Sequence, residues 1–427
     1  MFSKKVVFIA AALLTLLGLS ALSAGGQRSS GAQEGRVQVV LWHTYSDHHT
    51  QALDKIIGEF NASQDRVTVT AQPQPLTDYY SKLMQAVRNG TGPDFASLFP
   101  SEAVNYIPDG LLVNYDSYLS DPAIGIPDFK ERIAPGLYSE VTQWDEGAVY
   151  LLPTLTTGEV FFYNKTLYDE LGLKAPATWK ELEENSRIIY QQKGIPGFGS
   201  DSVIDTYSCL IIQNGAEYIN PRSRTVGFNN NIGLEQLTWF ANCVQEGIFR
   251  LVGEDQYFSN PFGSGAVGSY IGSSAGVDFV KAAVADKFEV GCAPIPQTAG
   301  GKPYISSYGG GYAIFKSAEA KHRGAYEFLK YLTQPDVLVQ WTMAFGGVPV
   351  YSDAINSAQF QAYQQQNIAV KALADEVGLI GFLPSVRGSS SVRQHIDRMI
   401  QSAATGRQTP RQALEECAAA SNADLQG

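Results

Sequence analysis

Several chemistries are closed to this chain by what it lacks. It carries four cysteines in 427 residues. Cys209, Cys243, Cys292 and Cys417 stand too far apart to form a CxxC pair, which excludes a zinc ribbon or a thioredoxin-like redox motif. A chain of this size needs no disulfides to fold, so buried free thiols are expected. Basic residues are outnumbered, 31 Lys and Arg against 42 Asp and Glu, and they nowhere gather into a patch. The net charge is −11, and loss of Lys4 and Lys5 with a cleaved leader, a stretch holding no acid, makes it −13. Such a chain lacks the electrostatic footprint of a nucleic-acid binder and is repelled by an anionic membrane surface. After residue 19 no segment approaches the ~18 uninterrupted apolar residues of a membrane span. An HExxH helix and a catalytic Cys signature are missing, and no cofactor motif appears.

What is present begins with a leader. Lys4 and Lys5 precede an apolar run from Val6 to Leu19 and a small-residue zone ending near Ala24, the pattern of a secretory signal over 1–24. Residues 25–35, rich in Ser, Gly and Gln, read as a flexible lead-in. The remainder is long enough for two lobes of roughly 200 residues each. Strand and helix patterns alternate. Val37–Trp42 reads as a strand, Leu53, Ile56, Ile57 and Phe60 share a helical face, and further strands follow at Val67–Thr70 and Asp94–Phe99. This alternation predicts βαβ units and a mostly parallel sheet. A second run opens at Val160–Tyr163, where Thr178 is placed to cap the next helix. The Gly- and Pro-bearing stretches near Tyr150–Thr157, Ala293–Thr298 and Phe345–Val350 are the expected hinges. Lobe one is then 36–150 with 298–346, and lobe two 151–297 with 347–427.

Thr44, Tyr45 and Ser46 directly follow the first strand, and ligands of open α/β sheets bind outside the carboxyl ends of strands, so these three are expected to line a cleft. The run Tyr308–Tyr312 contains three glycines but lacks the ending of a phosphate loop; close approach of backbone to a ligand or neighbouring strand explains it better. His43, His48 and His49 surround Asp47 without distant partners and read as a solvated helix start, so no metal is expected. The adjacent acids Asp145–Glu146 and Glu183–Glu184 read as solvated faces. The aromatic content, 22 Tyr, 21 Phe and 5 Trp, suits a cleft that stacks rings on sugar faces, although most of these side chains must be core.

The order of landmarks resembles that of the solute-binding proteins of bacterial carbohydrate ABC importers. Leu41-Trp42-His43, Asn89-Gly90-Thr91-Gly92-Pro93-Asp94, Leu152-Pro153, Phe162-Tyr163-Asn164-Lys165, Ala177-Thr178-Trp179 and Gly346-Gly347-Val348-Pro349-Val350 carry the resemblance across the whole mature chain. It implies an α/β, two-lobed periplasmic-binding-protein fold with a multi-crossing hinge. It also implies a small polyhydroxylated ligand in the interlobe cleft, and delivery by a secreted, monomeric protein to the importer's permease subunits without catalysis. Within the family the chain is most similar to the glycerol-3-phosphate-binding subgroup. That likeness places ligand contacts at Tyr79, at Thr156 or Thr157, at Ser273 or Ser274, at Gly309 or Gly310, and at Arg387, whose guanidinium fork suits a phosphate.

Departures from the subgroup leave the ligand open. Its glutamate falls near Pro100, with Glu102 the nearest acid; its tyrosine before the late proline is Gly347; its Trp-rich loop is replaced by Gly199–Asp205. In that loop Asp201 and Asp205 are placed to accept hydrogen bonds from a neutral sugar. The Arg387 match, set in a local pattern, weighs toward a phosphorylated polyol. The competing functional reading is an exported glycoside hydrolase or lyase, which needs two acids facing each other across a sugar.

Overall fold

The computed structural model describes residues 35–45 and 47–427. The leader expected over 1–24, the lead-in up to residue 34, and Ser46 lie outside them. The first sheet grows from β1 (Val37–His43), whose inward residues Val39 and Leu41 are fully buried. Helix α1 (Asp47–Ser63) returns the chain, burying Leu53, Ile56, Ile57 and Phe60 at the spacing the sequence predicts. Each such side chain contributes about 1.5–3 kcal/mol of transfer free energy. β2 (Val67–Pro73) lies parallel to β1, α2 (Tyr79–Arg88) crosses back, and β3 (Phe95–Leu98) lies parallel on the other side of β1. The short helix α3 (Pro135–Val141) follows several turns later.

A second sheet then forms. Its strands are β4 (Glu159–Asn164), β5 (Phe198–Ser200), β6 (Phe249–Arg250), β7 (Ser269–Ser273) and β8 (Val290–Ala293), in the order β8-β4-β7-β5-β6. Among the helices between β4 and β6 are α4 (Trp179–Lys193) and α5 (Val203–Gln213). Thr178 caps α4 as expected. Its hydroxyl accepts the Glu181 N–H at 3.2 Å, and the Glu181 carboxylate accepts the Thr178 N–H in return, the reciprocal arrangement of a capping box.

The chain returns to the first sheet through β9 (Gly311–Ile314), giving the order β9-β3-β1-β2. Helices α6 (Glu319–Leu332) and α7 (Pro335–Phe345) pack onto that side, and α8 (Ser389–Ala404) and α9 (Pro410–Gln426) end the chain. The sheets are less parallel than the alternating pattern predicts: β9 runs antiparallel to β3, and β4 antiparallel to both β7 and β8. β9 reaches β3 from the second sheet rather than by a local crossover helix, so the handedness rule for βαβ units does not constrain its direction.

Between the sheets the backbone passes side by side. Leu155–Thr156 pairs antiparallel with Val348–Pro349, Leu152 bridges Tyr312, and Gly158 bridges Ser307. Residues 298–306 stay with the second sheet: Thr298 and Lys302 donate backbone N–H groups to Gln213 at 2.8 Å, and Ile305–Ser306 pairs with Ile380–Gly381. All four cysteines are free thiols, three of them buried. No helix of the described residues is long and apolar enough to cross a membrane.

Candidate functional site

The carboxyl ends of β1 and β3 open onto a cavity of about 310 Å³. Thr44 and Tyr45 after β1, and Ser97, Leu98 and Phe99 at the end of β3, form one wall. Thr157 in the crossing segment, Ser273 at the end of β7, and Gly310 before β9 face them. Seven aromatic side chains line it, Tyr45, Tyr80, Phe99, Tyr308, Tyr312, Trp341 and Phe345, and no charged one. Tyr45 is fixed by edge contacts with Trp341 and Phe345 at 5.3 and 5.2 Å between ring centroids, and its hydroxyl lies 3.2 Å from that of Tyr312. Phe99 is different. It stays 47% exposed, an aromatic face held open by the turn into Pro100.

Two further compartments adjoin this one. A cavity of about 240 Å³ shares Phe99 and Tyr308 with it and adds Glu140, Asp205, Ser385 and Arg393. A shallower one of about 590 Å³ shares Tyr80 and Phe99 and adds Glu102, Ile204 and Arg398. The polar centre between them is built on α5, α8 and the crossing segment. Arg393 donates two parallel hydrogen bonds to Asp205, and the Tyr308 hydroxyl reaches both Asp205 Oδ2 at 2.9 Å and Glu159 Oε1 at 3.1 Å. Burial alone would push the Asp205 carboxyl up, but the Arg393 guanidinium and the hydrogen bonds from Arg393, Ser202 and Tyr308 hold it below the ordinary carboxylate range. Glu159, fully buried beside Asp205, is driven well above that range, first by desolvation and then by the neighbouring charge.

The residues singled out from sequence divide. Thr44, Tyr45, Thr157, Ser273 and Gly310 come together around the first cavity; Asp205 and Gly309 line the second and Glu102 the third. Burial pushes the Glu102 carboxyl up to about 7. Tyr79 instead points inward, 1% exposed, its hydroxyl donating to the Trp42 and Ser97 carbonyls; its neighbour Tyr80 faces the cavity. Thr156 and Ser274 are fully buried. Asp201 is occupied by the Phe258 N–H at 2.6 Å, and burial raises its carboxyl to about 7. Arg387 stands 45% exposed against Asp109 at 3.4 Å and borders none of these cavities. The glycine run is needed for close approach: a Cβ on Gly310 would lie 2.9 Å from the Leu98 carbonyl oxygen, and one on Gly309 2.6 Å from Glu140 Oε2.

Sequence reasoning missed Tyr80, Phe99, Glu140, Trp341 and Arg393. The rule that picked Thr44 and Tyr45 applies equally to Phe99, the residue immediately after β3. Arg393 and Glu140 sit on amphipathic helices and carry no local signal. Among the described residues no group of three His, Cys, Asp or Glu side chains is placed to hold a metal ion. His43 is buried and stacked on Tyr45, and its Nδ1 accepts the Tyr45 N–H at 3.1 Å.

Comparison with known proteins agrees with this architecture. The chain is 22% identical over 399 residues to a sn-glycerol-3-phosphate-binding periplasmic protein of Yersinia pseudotuberculosis, covering 88% of this chain and 90% of that one. It is 25% identical over 348 residues to a maltotriose-binding protein of Pyrococcus abyssi, covering 77% and 70%. Its fold superposes on the cyclic alpha-maltosyl-1,6-maltose binding protein of Arthrobacter globiformis with a TM-score of 0.80 at 23% identity, covering 92% of this chain and all of the other. The two-lobed periplasmic-binding-protein fold expected from the sequence is therefore the fold observed. Residues 55–367 match the model of the bacterial extracellular solute-binding proteins, and the chain belongs to that family.

Proposed function

We propose that this protein is the solute-binding component of an ABC importer and that its ligand is a saccharide rather than a phosphorylated polyol. The observation that carries the choice is the lining of the 310 Å³ cavity: seven aromatic side chains, hydroxyls from Thr44, Ser97, Thr157 and Ser273, and no charge. Aromatic faces suit the apolar faces of pyranose rings, while a phosphate there would be desolvated without a cation, a cost of several kcal/mol. Arg387, which the sequence offers for an anion, is exposed and paired elsewhere, and the guanidinium of Arg393 is committed to Asp205. Both cyclic and linear maltose-type ligands in the names of similar proteins support the same class.

Domain closure over this cleft follows from the crossing segments. Lobe one is then 36–150 with about 311–346, and lobe two about 151–306 with 347–427. We put the second crossing at Ser307–Gly310 rather than at the Ala293–Thr298 expected from sequence; the ties of Thr298 and Lys302 to Gln213 support this reading. The closed form would be read by the importer's permease subunits.

Isothermal calorimetry and thermal shift with maltotriose and with glycerol 3-phosphate test the reading. Maltotriose should bind, raise the melting temperature and be recovered chemically unchanged; at 100-fold above Kd a ligand stabilises by about 2.7 kcal/mol. Binding of glycerol 3-phosphate alone would overturn the ligand class, and conversion of the saccharide would establish the hydrolase or lyase alternative.

A further inference from the structure

Glu140 is a buried carboxylate without a counter-charge. It projects from α3 into the 240 Å³ compartment and is 6% exposed. The Ser307 hydroxyl donates to its Oε2 at 3.1 Å, and no Lys, Arg or His of the described residues forms an ion pair with it. The nearby guanidinium of Arg393 lies in the same compartment but is held by both oxygens of Asp205. An ionised carboxylate taken out of water is costly unless a cation and hydrogen bonds replace its hydration. Burial accordingly pushes the Glu140 carboxyl up to about 7.

The surroundings preserve this arrangement. Gly309 leaves the space that the carboxylate fills, since a Cβ there would come within 2.6 Å of Glu140 Oε2 and of Ser307 Oγ. The Gln143 amide donates to the Glu140 carbonyl, and its oxygen accepts the Ser385 N–H at 2.7 Å, tying the α3 end to the opposite wall. The compartment meets the aromatic cavity along Phe99 and Tyr308.

We infer that the compartment beside Glu140 is a subsite for a protonated amino group, so that the preferred ligand is an amine-bearing saccharide. The inference rests on the proposed saccharide binding and names its class further. Tyr308 and Phe99 orient the sugar ring, Ser307 holds one oxygen of Glu140, and the incoming ammonium supplies the missing charge through a charge-assisted hydrogen bond.

Calorimetry on the full mature chain tests this with matched probes: maltotriose, and the two derivatives carrying an amino group in place of the 6-hydroxyl of one terminal residue. At least one derivative should bind roughly 10- to 100-fold more tightly than maltotriose, the range of one hydrogen bond to a charged group. In Glu140→Gln the ratio of amine to maltotriose affinity should fall to about one whatever the maltotriose affinity itself becomes, and Glu140→Asp should retain part of the preference. Equal binding of amine and parent by the wild type, or an undiminished preference in Glu140→Gln, would overturn the subsite. Failure of all three saccharides to bind the wild type would instead sink the saccharide reading and the subsite with it. A cooperative thermal melt and an unchanged far-UV circular dichroism spectrum show that Glu140→Gln folds.

Discussion

Arg393 on α8 grips Asp205 on α5 through two parallel hydrogen bonds, Nη1 to Oδ1 at 2.7 Å and Nη2 to Oδ2 at 2.9 Å. Asp205 is 3% exposed and the Arg393 side chain 34%. The pair joins two helices far apart in sequence and closes one end of the cleft, so it is both a structural clasp and a wall of the polar compartment.

Removing the arginine leaves a buried anion. Arg393→Met should cost about 2–4 kcal/mol at neutral pH, toward the low side of a fully buried pair because the guanidinium keeps some solvent. Urea denaturation measures it. The sign with pH follows from Asp205, whose carboxyl is held below its ordinary value. The stabilisation is present above the unfolded carboxylate range, near pH 4, and is lost as pH falls through the lower folded value. The gap between wild type and variant should therefore narrow on acidification below about pH 4.

Glu159 gives the opposite dependence. The single proton of the Tyr308 hydroxyl serves two carboxylates, and Asp205 has further donors in Arg393 and Ser202. Glu159 Oε2 is buried without a hydrogen-bond partner among the described residues. Its raised carboxyl means that unfolded Glu159 ionises first as pH rises past about 4.3, and the fold loses stability from there upward until the folded group ionises. Glu159→Gln removes that loss. Chemical denaturation at pH 5 and pH 8 should show the variant gaining on the wild type at the higher pH; a constant difference would show that Glu159 is ionised in the fold.

Phe99 is nearly half exposed, so truncating it removes little core. Phe99→Ala should change the unfolding free energy by less than about 0.5 kcal/mol, as surface substitutions do. Saccharide affinity should fall by about 1–2 kcal/mol, because a central aromatic anchor is lost. Loss of stability without loss of affinity would move Phe99 out of the site.

Much of the fold is written locally. The α1 face of Leu53, Ile56, Ile57 and Phe60, the Thr178 cap and the β1 alternation all depend on neighbours within one or two turns. The site is legible only where a local rule applies. Thr44 and Tyr45 follow a strand end and do reach the cleft, whereas Tyr79 and Tyr80 are adjacent aromatics on one helix, and only packing against Trp42 and Ser97 decides which turns inward. Arg387 and Arg393 pose the same difficulty at six residues' spacing. Which arginine reaches Asp205 depends on where α8 begins after the left-handed Gly388, a tertiary outcome that residue types near Ser385-Val386-Arg387 do not encode.

Arg387 separates the two ligand classes most directly. Its side chain is 45% exposed and its partner Asp109 38%, at 3.4 Å, and a surface pair of this kind contributes about 0–1 kcal/mol. Asp109 also accepts from Arg88 at 2.9 Å, so deleting Arg387 leaves no orphaned carboxylate. Arg387→Ala should keep the melting temperature and the affinity for maltotriose, each within about 0.5 kcal/mol of wild type. A ligand phosphate held by Arg387 predicts the contrary: a drop of about 2–5 kcal/mol in glycerol 3-phosphate affinity, as when one partner of a buried charge pair is removed. Calorimetry of both ligands on wild type and variant decides between them. Because the aromatic cavity has no charge and Arg387 does not border it, the expected result is an unchanged saccharide isotherm in both proteins.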